Sequence, residues 1–124
     1  MTESGMTAGA ALDRAALNRM MDLVGNDREM FAEMLTAYFE DAPGFIAELD
    51  AALVQGNADR MRIAAHSLKS NSASFGALVL AEQCRALEGL AKAGQLEGTA
   101  ERIAEIKEEY ERTREALESM RMGI

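Results

Sequence analysis

The sequence predicts an all-α protein, an antiparallel up-and-down four-helix bundle with one or two additional short helices at the amino-terminal side. Its composition is typical of packed helices, because 48% of the 124 residues are hydrophobic while only 5% are aromatic and one is proline. Apolar residues recur at spacings of three and four over most of the chain, which is the period of an α-helix. Glycines and capping residues leave room only for short connections, so consecutive helices are expected to run antiparallel.

Residues 1–11 are small and polar without periodicity, and we expect them to be a disordered lead. Residues 12–124 have the length of one domain with a single core. Asp13 is placed to cap a short first helix that ends near Leu23, just before Gly25. This helix is the short extra element at the amino-terminal side of the bundle.

The next segment contains two signals for the start of a helix. Asn26 followed by Glu29 resembles a capping box that opens a helix extending to about Ala42. Pro43 fits the first turn of a separate, following helix, because its missing N–H has no partner to lose there, and Gly56 ends that helix. The sequence therefore predicts two helices between residues 26 and 56.

Three further helices complete the bundle. Asn57 caps the first of them, which ends before Gly76. The second extends from about Ala77 to Ala93, and Thr99 caps the last one. Each has an apolar stripe at three-four spacing that is expected to face the core. The inward positions are Met61, Ala65, Leu68, Ser72 and Phe75, then Leu80, Cys84, Leu87 and Ala91, and finally Ile103, Ile106, Tyr110, Thr113, Leu117 and Met120.

Charge and composition exclude several classes of function. The net charge of -8 disfavours binding to nucleic acid or to an anionic membrane, because both would repel the chain. No apolar run approaches about 18 residues and the first residues lack the basic start of a signal peptide, so we expect a cytoplasmic protein. A single cysteine, Cys84, and a single histidine, His66, allow neither an internal disulfide nor a multi-ligand Cys or His metal site. We therefore expect protein partners and no metal or intrinsic cofactor.

His66 is the candidate for chemistry. It lies one residue away from the buried stripe of its helix, so a rotation of about 100° places it beside the core and partly exposed. Positions three and four residues apart share one face of a helix, and these positions around His66 are Arg62, Lys69 and Ser70, with Ala73 one turn further on. Two cations and two small side chains are therefore expected to surround one imidazole.

This arrangement suits phosphoryl transfer. A neutral imidazole offers a nitrogen lone pair that can attack phosphorus, and we expect Nε2 of His66 to be that nucleophile. The Lys69 ammonium can then neutralise part of the charge on the phosphoryl oxygens. Ser70 and Ala73 are small enough to let a partner approach, so we expect them, with Arg62 and Ile63, to surround the docking site.

Local charge supports the same docking surface. Between residues 58 and 76 the cations Arg60, Arg62 and Lys69 stand against one acid, Asp59, which gives a local balance of +2 in an otherwise acidic chain. We expect this basic island to mark the surface on which a partner docks.

The residues around His66 form a recognisable pattern. The stretch Ala65-His66-Ser67-Leu68-Lys69 is followed by small residues and then by Phe75-Gly76-Ala77. This pattern resembles the histidine phosphotransfer (HPt) family, in which an AHSLK-type segment holds the phosphoryl-accepting histidine. The flanking stretches FEDAP at 39–43 and LAEQCRALE at 80–88 support the resemblance, which covers about residues 12–120.

The resemblance implies that His66 accepts a phosphoryl group from an aspartyl phosphate on a receiver domain and passes it to another receiver in a phosphorelay. The implied partners are response-regulator receiver domains and a hybrid histidine kinase, with no nucleic acid and no membrane. The chain would be a carrier without autokinase activity, and the receiver would supply Mg²⁺ and most of the catalysis. We expect the carrier to be a monomer.

Two further residues enter through the resemblance. Ser70 stands where the family usually has Gly, but Ser is still small, so we expect access to His66 to be preserved. Glu88 falls where some family members place a polar side chain that orients the histidine nitrogen, and the resemblance assigns it that role.

Two alternative functions share the predicted fold. In the first, the histidine carries no phosphoryl group and the chain is a helical adaptor that docks receiver domains. In the second, the chain is the dimerisation and phosphoacceptor segment of a histidine kinase. The second is disfavoured because Ser67 follows the histidine where such segments have an acidic residue, and no proline comes shortly after it.

Overall fold

A computed structural model describes residues 12–122, which form five α-helices and no strand. The predicted lead, residues 1–11, and the last two residues of the predicted domain lie outside the described part. The helices are α1 (Arg14–Leu23), α2 (Arg28–Gln55), α3 (Ala58–Ser74), α4 (Leu78–Lys92) and α5 (Thr99–Met122).

The four longer helices close around one core. Helix α3 packs against α2 and α4, and α5 packs against the same two helices from the other side. The short α1 packs against α2 and α3. The connections between helices span only a few residues, so the predicted all-α, antiparallel four-helix bundle with one short extra helix is confirmed. None of the helices in residues 12–122 is both long and apolar enough to cross a membrane.

The amino-terminal caps follow the sequence in two of the four predicted cases. The side chains of Asp13 and Asn57 accept hydrogen bonds from the backbone N–H three residues later, as predicted, and so begin α1 and α3. The predicted capping box at Asn26 is wrong. Asn26 has a left-handed φ of 60° and belongs to the turn, while Asp27, in an extended conformation, accepts from Met30 N at 3.1 Å and caps α2.

The predicted helix break at Pro43 is also wrong, because α2 continues through it. Proline removes one backbone hydrogen bond, but Pro43 lies on the exposed side of α2, where water can bond to the carbonyl that lacks its partner. On the opposite side, Ala42 and Leu49 are both completely buried. Packing on both sides of the proline therefore outweighs its local helix-breaking preference.

Thr99 does not cap α5 in the predicted way. It is the first residue inside the helix, and its hydroxyl donates a hydrogen bond to the Leu96 carbonyl at 2.6 Å. The threonine thus satisfies a carbonyl of the preceding turn, while the predicted cap would have satisfied an N–H of the helix. A cap at Thr99 would make Ala100 the first helical residue, so α5 begins one residue earlier than predicted.

Helix α3 divides into two faces, and this division positions the candidate site. The face that meets α2 and α4 is buried and includes the residues that the apolar stripe predicted. The opposite face contains His66 and is exposed. The buried residues of α3 are Met61, Ala64, Ala65, Leu68 and Ser72.

Candidate functional site

His66 lies on the exposed face of α3, as its place beside the buried stripe predicted. Its side chain is 57% exposed, whereas its neighbours Ala65 and Leu68 are completely buried. The backbone that carries the imidazole is therefore fixed by the core, while the ring itself can be reached from solvent.

One nitrogen of the imidazole is held by a residue from the next helix. Nδ1 of His66 lies 2.9 Å from Oε2 of Glu88, which α4 brings to this point from 22 positions further along the chain. An ionised carboxylate can only accept a hydrogen bond, so Nδ1 is the donor and carries the ring proton. The lone pair is then on Nε2, which has no hydrogen-bond partner among residues 12–122.

Lys69 reaches the same carboxylate. Its Nζ donates to Oε1 of Glu88 at 2.7 Å, and the lysine side chain is 28% exposed. This hydrogen bond is the largest cause that holds the pKa of the Glu88 carboxyl below its usual value; partial burial opposes the shift, and the hydrogen bond to His66 adds to it. Glu88 therefore joins the imidazole and the ammonium on one face, and it remains charged at neutral pH.

The basic island predicted from the local sequence is not a surface of net positive charge. Arg60 pairs with Glu48 of α2 through Nε and Oε1 at 2.6 Å, and Arg62 pairs with Asp59 at 2.8 Å. With Lys69 bound to Glu88, each cation of the island has an acidic partner. The prediction counted only residues near in sequence and so missed the acids that come from α2 and α4.

Two shallow grooves run on either side of the ridge that carries His66. The groove toward α4 has a volume of about 430 Å³, and Ser70 and Ala73 line it together with Lys69. The groove toward α2 has a volume of about 320 Å³ and contains Ile63. The remaining lining residues are Leu78, Ala81, Glu82 and Arg85 in the first groove and Phe45, Glu48, Arg60, Ala64 and Ser67 in the second.

The residues predicted for docking are thus divided among separate surfaces. Ser70 and Ala73 share the α4-side groove, Ile63 lies in the α2-side groove, and Arg62 lines neither of them. Sequence reasoning missed Leu78, which is 47% exposed in the α4-side groove. Its position off the Leu80-Cys84 stripe could have indicated an outward apolar side chain.

Cys84 lies in the core and takes no part in the exposed site. It is completely buried, and burial raises the pKa of its thiol to about 12. Residues 12–122 contain no group of three or more His, Cys, Asp or Glu side chains that could hold a metal ion. The exposed face of α3 brings together an imidazole, a carboxylate and an ammonium.

A helical bundle that presents one exposed imidazole, with one ring nitrogen held and the other open, agrees with the class of protein that the sequence predicts, a phosphoryl carrier. Residues 33–116 match the Hpt domain, and the chain belongs to this family. Its role is phosphoryl transfer in a phosphorelay.

Relatives of known name match nearly the whole chain. Histidine-containing phosphotransfer protein 4 of Arabidopsis thaliana is 29% identical over 121 residues, which cover 95% of this chain and 94% of the relative. Among solved structures, histidine-containing phosphotransfer protein B (HptB) of Pseudomonas aeruginosa PAO1 is similar with a TM-score of 0.83 and 27% identity, covering 91% of this chain and 96% of that one. The maize protein ZmHP2 has a TM-score of 0.77 and 26% identity, and the match covers 94% of each chain.

Proposed function

We propose that His66 is the residue of this chain that carries the phosphoryl group, accepting it through Nε2 from an aspartyl phosphate on a receiver domain and passing it to another receiver. The observation that supports this most directly is the hydrogen bond from Nδ1 to Glu88 at 2.9 Å on a side chain that is 57% exposed. It leaves the lone pair on the nitrogen that faces outward.

The transfer step uses this lone pair. Nε2 attacks phosphorus as the P–O bond to the receiver aspartate breaks, and the aspartate carboxylate leaves with the electron pair. The new P–N bond forms on Nε2, and the ring keeps its Nδ1 proton beside Glu88. Because Glu88 orients the ring, less entropy is lost when Nε2 reaches the in-line geometry for attack.

Lys69 places a positive charge near the transferred group. Its ammonium lies on the His66 face and is bound to the carboxylate that also holds the ring. An ammonium has three N–H donors, so Lys69 can keep its contact with Glu88 and direct another N–H toward a phosphoryl oxygen. We propose that it stabilises the phosphoryl charge in this way.

A receiver would dock on the ridge of α3 and the grooves beside it. Ser70 and Ala73 keep the α4-side groove open, and Ile63 offers an apolar surface that is 53% exposed on the other side. Arg62 would contact the partner at the edge of this surface. Ser replaces the usual family Gly at position 70 and leaves the groove in place.

The remaining assignments follow from the carrier role. The receiver would bring Mg²⁺ and most of the catalysis, a hybrid histidine kinase would be the upstream source, and the chain would act as a monomer in the cytoplasm. It would not phosphorylate itself, because residues 12–122 contain no Gly-rich phosphate loop of the kind that kinases use.

The decisive experiment mixes the chain with receiver domains phosphorylated on aspartate. The expected result is a label on this chain that is labile in acid and stable in base, mapped to His66 by mass spectrometry. ATP alone should give no label. A chain that binds receivers but remains unlabelled would instead be the non-phosphorylated adaptor, and label on any other residue would refute the assignment of His66.

A further inference from the structure

We propose that the cavity between α1, α2 and the end of α3 takes a lysine or arginine side chain of the receiver that docks on this chain. This inference rests on the proposed function, since it names one contact of the same partner. The cavity has a volume of about 210 Å³ and lies on the α2 side of α3, further toward the carboxyl end of that helix than the groove that contains Ile63. Its lining combines an apolar floor with a polar rim.

The floor of the cavity suits the stem of a long side chain. Met20 of α1, Tyr38 of α2 and Phe75, the residue that follows α3, are buried and form the floor, while Met34 is 37% exposed at one wall. Methionine is flexible and polarisable, so this wall can adjust to the side chain that enters. The volume is that of about seven water molecules at about 30 Å³ each, which is enough for the four-carbon stem of lysine and its ammonium.

The rim of the cavity supplies acceptors for a cation. Asp41 of α2 lines it together with Asn71 and Ser74 of α3. Within the described residues the Asp41 carboxylate has no hydrogen bond or ion pair, whereas Glu48, two turns further along the same face of α2, bonds to Arg60 at 2.6 Å. The Ser74 hydroxyl donates its proton to a backbone carbonyl one turn earlier, so its oxygen remains an acceptor. A basic side chain can therefore bury its stem on the floor and place its charged head beside the carboxylate.

The cavity lies within reach of a partner that docks over His66. Asn71 and Ser74 follow His66 by five and eight positions on α3, which is about 8 and 12 Å along the helix axis at about 1.5 Å per residue. A specific interface covers about 800 Å² of each partner, and a circular patch of that area extends about 16 Å from its centre. A receiver centred on the ring therefore covers the rim. Asp41 attracts a basic side chain there and repels an acidic one, so the contact discriminates among receivers by charge.

The test compares Asp41→Asn with a control of equal charge change, Glu40→Gln. Both side chains are exposed on α2, but Glu40 does not line the cavity. Unphosphorylated receiver domains from the organism of this chain are titrated by calorimetry, and the receiver that binds the wild type most tightly is used for the comparison. Thermal unfolding of each variant verifies that its fold is intact.

Asp41→Asn should bind this receiver about five- to tenfold more weakly than the wild type at about 0.1 M salt, because asparagine keeps the shape of aspartate and removes its charge. Glu40→Gln should bind within about twofold of the wild type. In a second arm, each exposed lysine and arginine of the receiver is replaced by methionine, which keeps an apolar stem. One of these replacements should weaken binding to the wild type and have no effect on binding to Asp41→Asn, as a double-mutant cycle requires for a direct contact.

Equal affinities of Asp41→Asn and Glu40→Gln would overturn the inference, and so would a receiver in which no basic residue is coupled to Asp41. A loss of affinity in Met34→Ala without a loss in Asp41→Asn would show that an apolar side chain occupies the cavity instead.

The two proposals fail separately. If the receiver labels His66 while Asp41→Asn binds as the control does, only the basic contact is lost. If a basic residue of the receiver is coupled to Asp41 but no receiver labels His66, the phosphoryl transfer fails and the contact stands. A set of receivers of which none binds the wild type would overturn both.

Discussion

Two polar side chains on opposite faces of α3 differ in their burial and in their hydrogen bonding. Ser72 faces the core, is completely buried, and shares a hydrogen bond of 2.8 Å with the Tyr38 hydroxyl of α2. His66 faces solvent and is held through Nδ1 alone. The two residues lie six positions apart on one rigid helix, so their difference comes from what each face meets.

The comparison shows what separates a structural polar group from one that we propose to be reactive. The Ser72–Tyr38 pair is satisfied inside the core, and desolvation raises the pKa of the Tyr38 hydroxyl, which keeps it neutral. At His66 the protein satisfies one nitrogen and leaves the other to the solvent. A side chain that is held at one atom and accessible to solvent at another can react. A side chain whose polar atoms all have buried hydrogen-bond partners contributes to stability instead.

Replacing His66 by Gln gives the largest expected effect on transfer. The amide has no comparable nucleophile, so labelling from a phosphorylated receiver should disappear entirely. Because the side chain is 57% exposed, the free energy of unfolding should change by no more than about 0.5 kcal/mol. Radiolabel transfer measures the first quantity and urea unfolding followed by circular dichroism measures the second.

Labelling of His66→Gln at the wild-type level would show that another residue accepts the phosphoryl group. A large loss of helicity would show instead that the exposed face of α3 is structural. Either result would remove the contrast between the two faces of this helix.

Replacing Lys69 by Ala should have the next largest effect. Loss of the ammonium removes the positive charge beside the phosphoryl oxygens and one of the two contacts on Glu88, so transfer should slow, or phosphohistidine decay should quicken, by about tenfold. The matched control is Lys107→Ala, since Lys107 pairs with Asp50 at 2.9 Å on another face. Single-turnover transfer and decay curves equal to those of the wild type would remove Lys69 from the mechanism.

Sequence reasoning found most of the fold because the relevant signals are local. The cap at Asn57 and the stripe that follows it depend on residues three or four apart, and both were placed correctly for α3. The helix break predicted at Pro43 was wrong because the helix-breaking preference of proline is also a local property. The packing that keeps α2 continuous, at Ala42 and Leu49, depends on neighbouring helices that the local pattern does not describe.

The candidate site was less accessible to sequence reasoning. The face of His66 and Lys69 followed from helix period alone, whereas Glu88 entered only through the family resemblance. Its double contact with the two residues depends on the register between α3 and α4, which local sequence does not set. The same register pairs Lys69 with an acid and removes the net charge of the predicted basic island.

Replacing Ala73 by Leu tests access to the exposed face. The larger side chain would fill part of the α4-side groove, so affinity for a receiver should fall several-fold, by up to about tenfold, while folding is unchanged. The control is Ala104→Leu, an exposed alanine of α5 that receives the same side chain. Titration calorimetry that gives equal affinity for both variants would contradict the placement of the docking surface.

Replacing Tyr38 by Phe should have the smallest effect on transfer and tests the other half of the comparison. The ring contacts remain, with centroids 5.1 Å from Phe75 and 6.0 Å from Tyr110, but the Ser72 hydroxyl loses its partner inside the core. An unsatisfied buried hydroxyl should destabilise the fold by about 1–3 kcal/mol, measured by urea unfolding. Because the backbone under His66 keeps its packing, the transfer rate below the unfolding transition should equal that of the wild type.

The double variant Tyr38→Phe/Ser72→Ala sharpens this test. Removing both hydroxyls leaves neither member of this pair without its partner, so the double variant should recover most of the stability lost in Tyr38→Phe. If the double variant were as unstable as the sum of its parts, the hydroxyls would act independently. If either variant slowed transfer, the two faces of α3 would be coupled. The hydrogen bond between the buried hydroxyls would then affect transfer as well as stability.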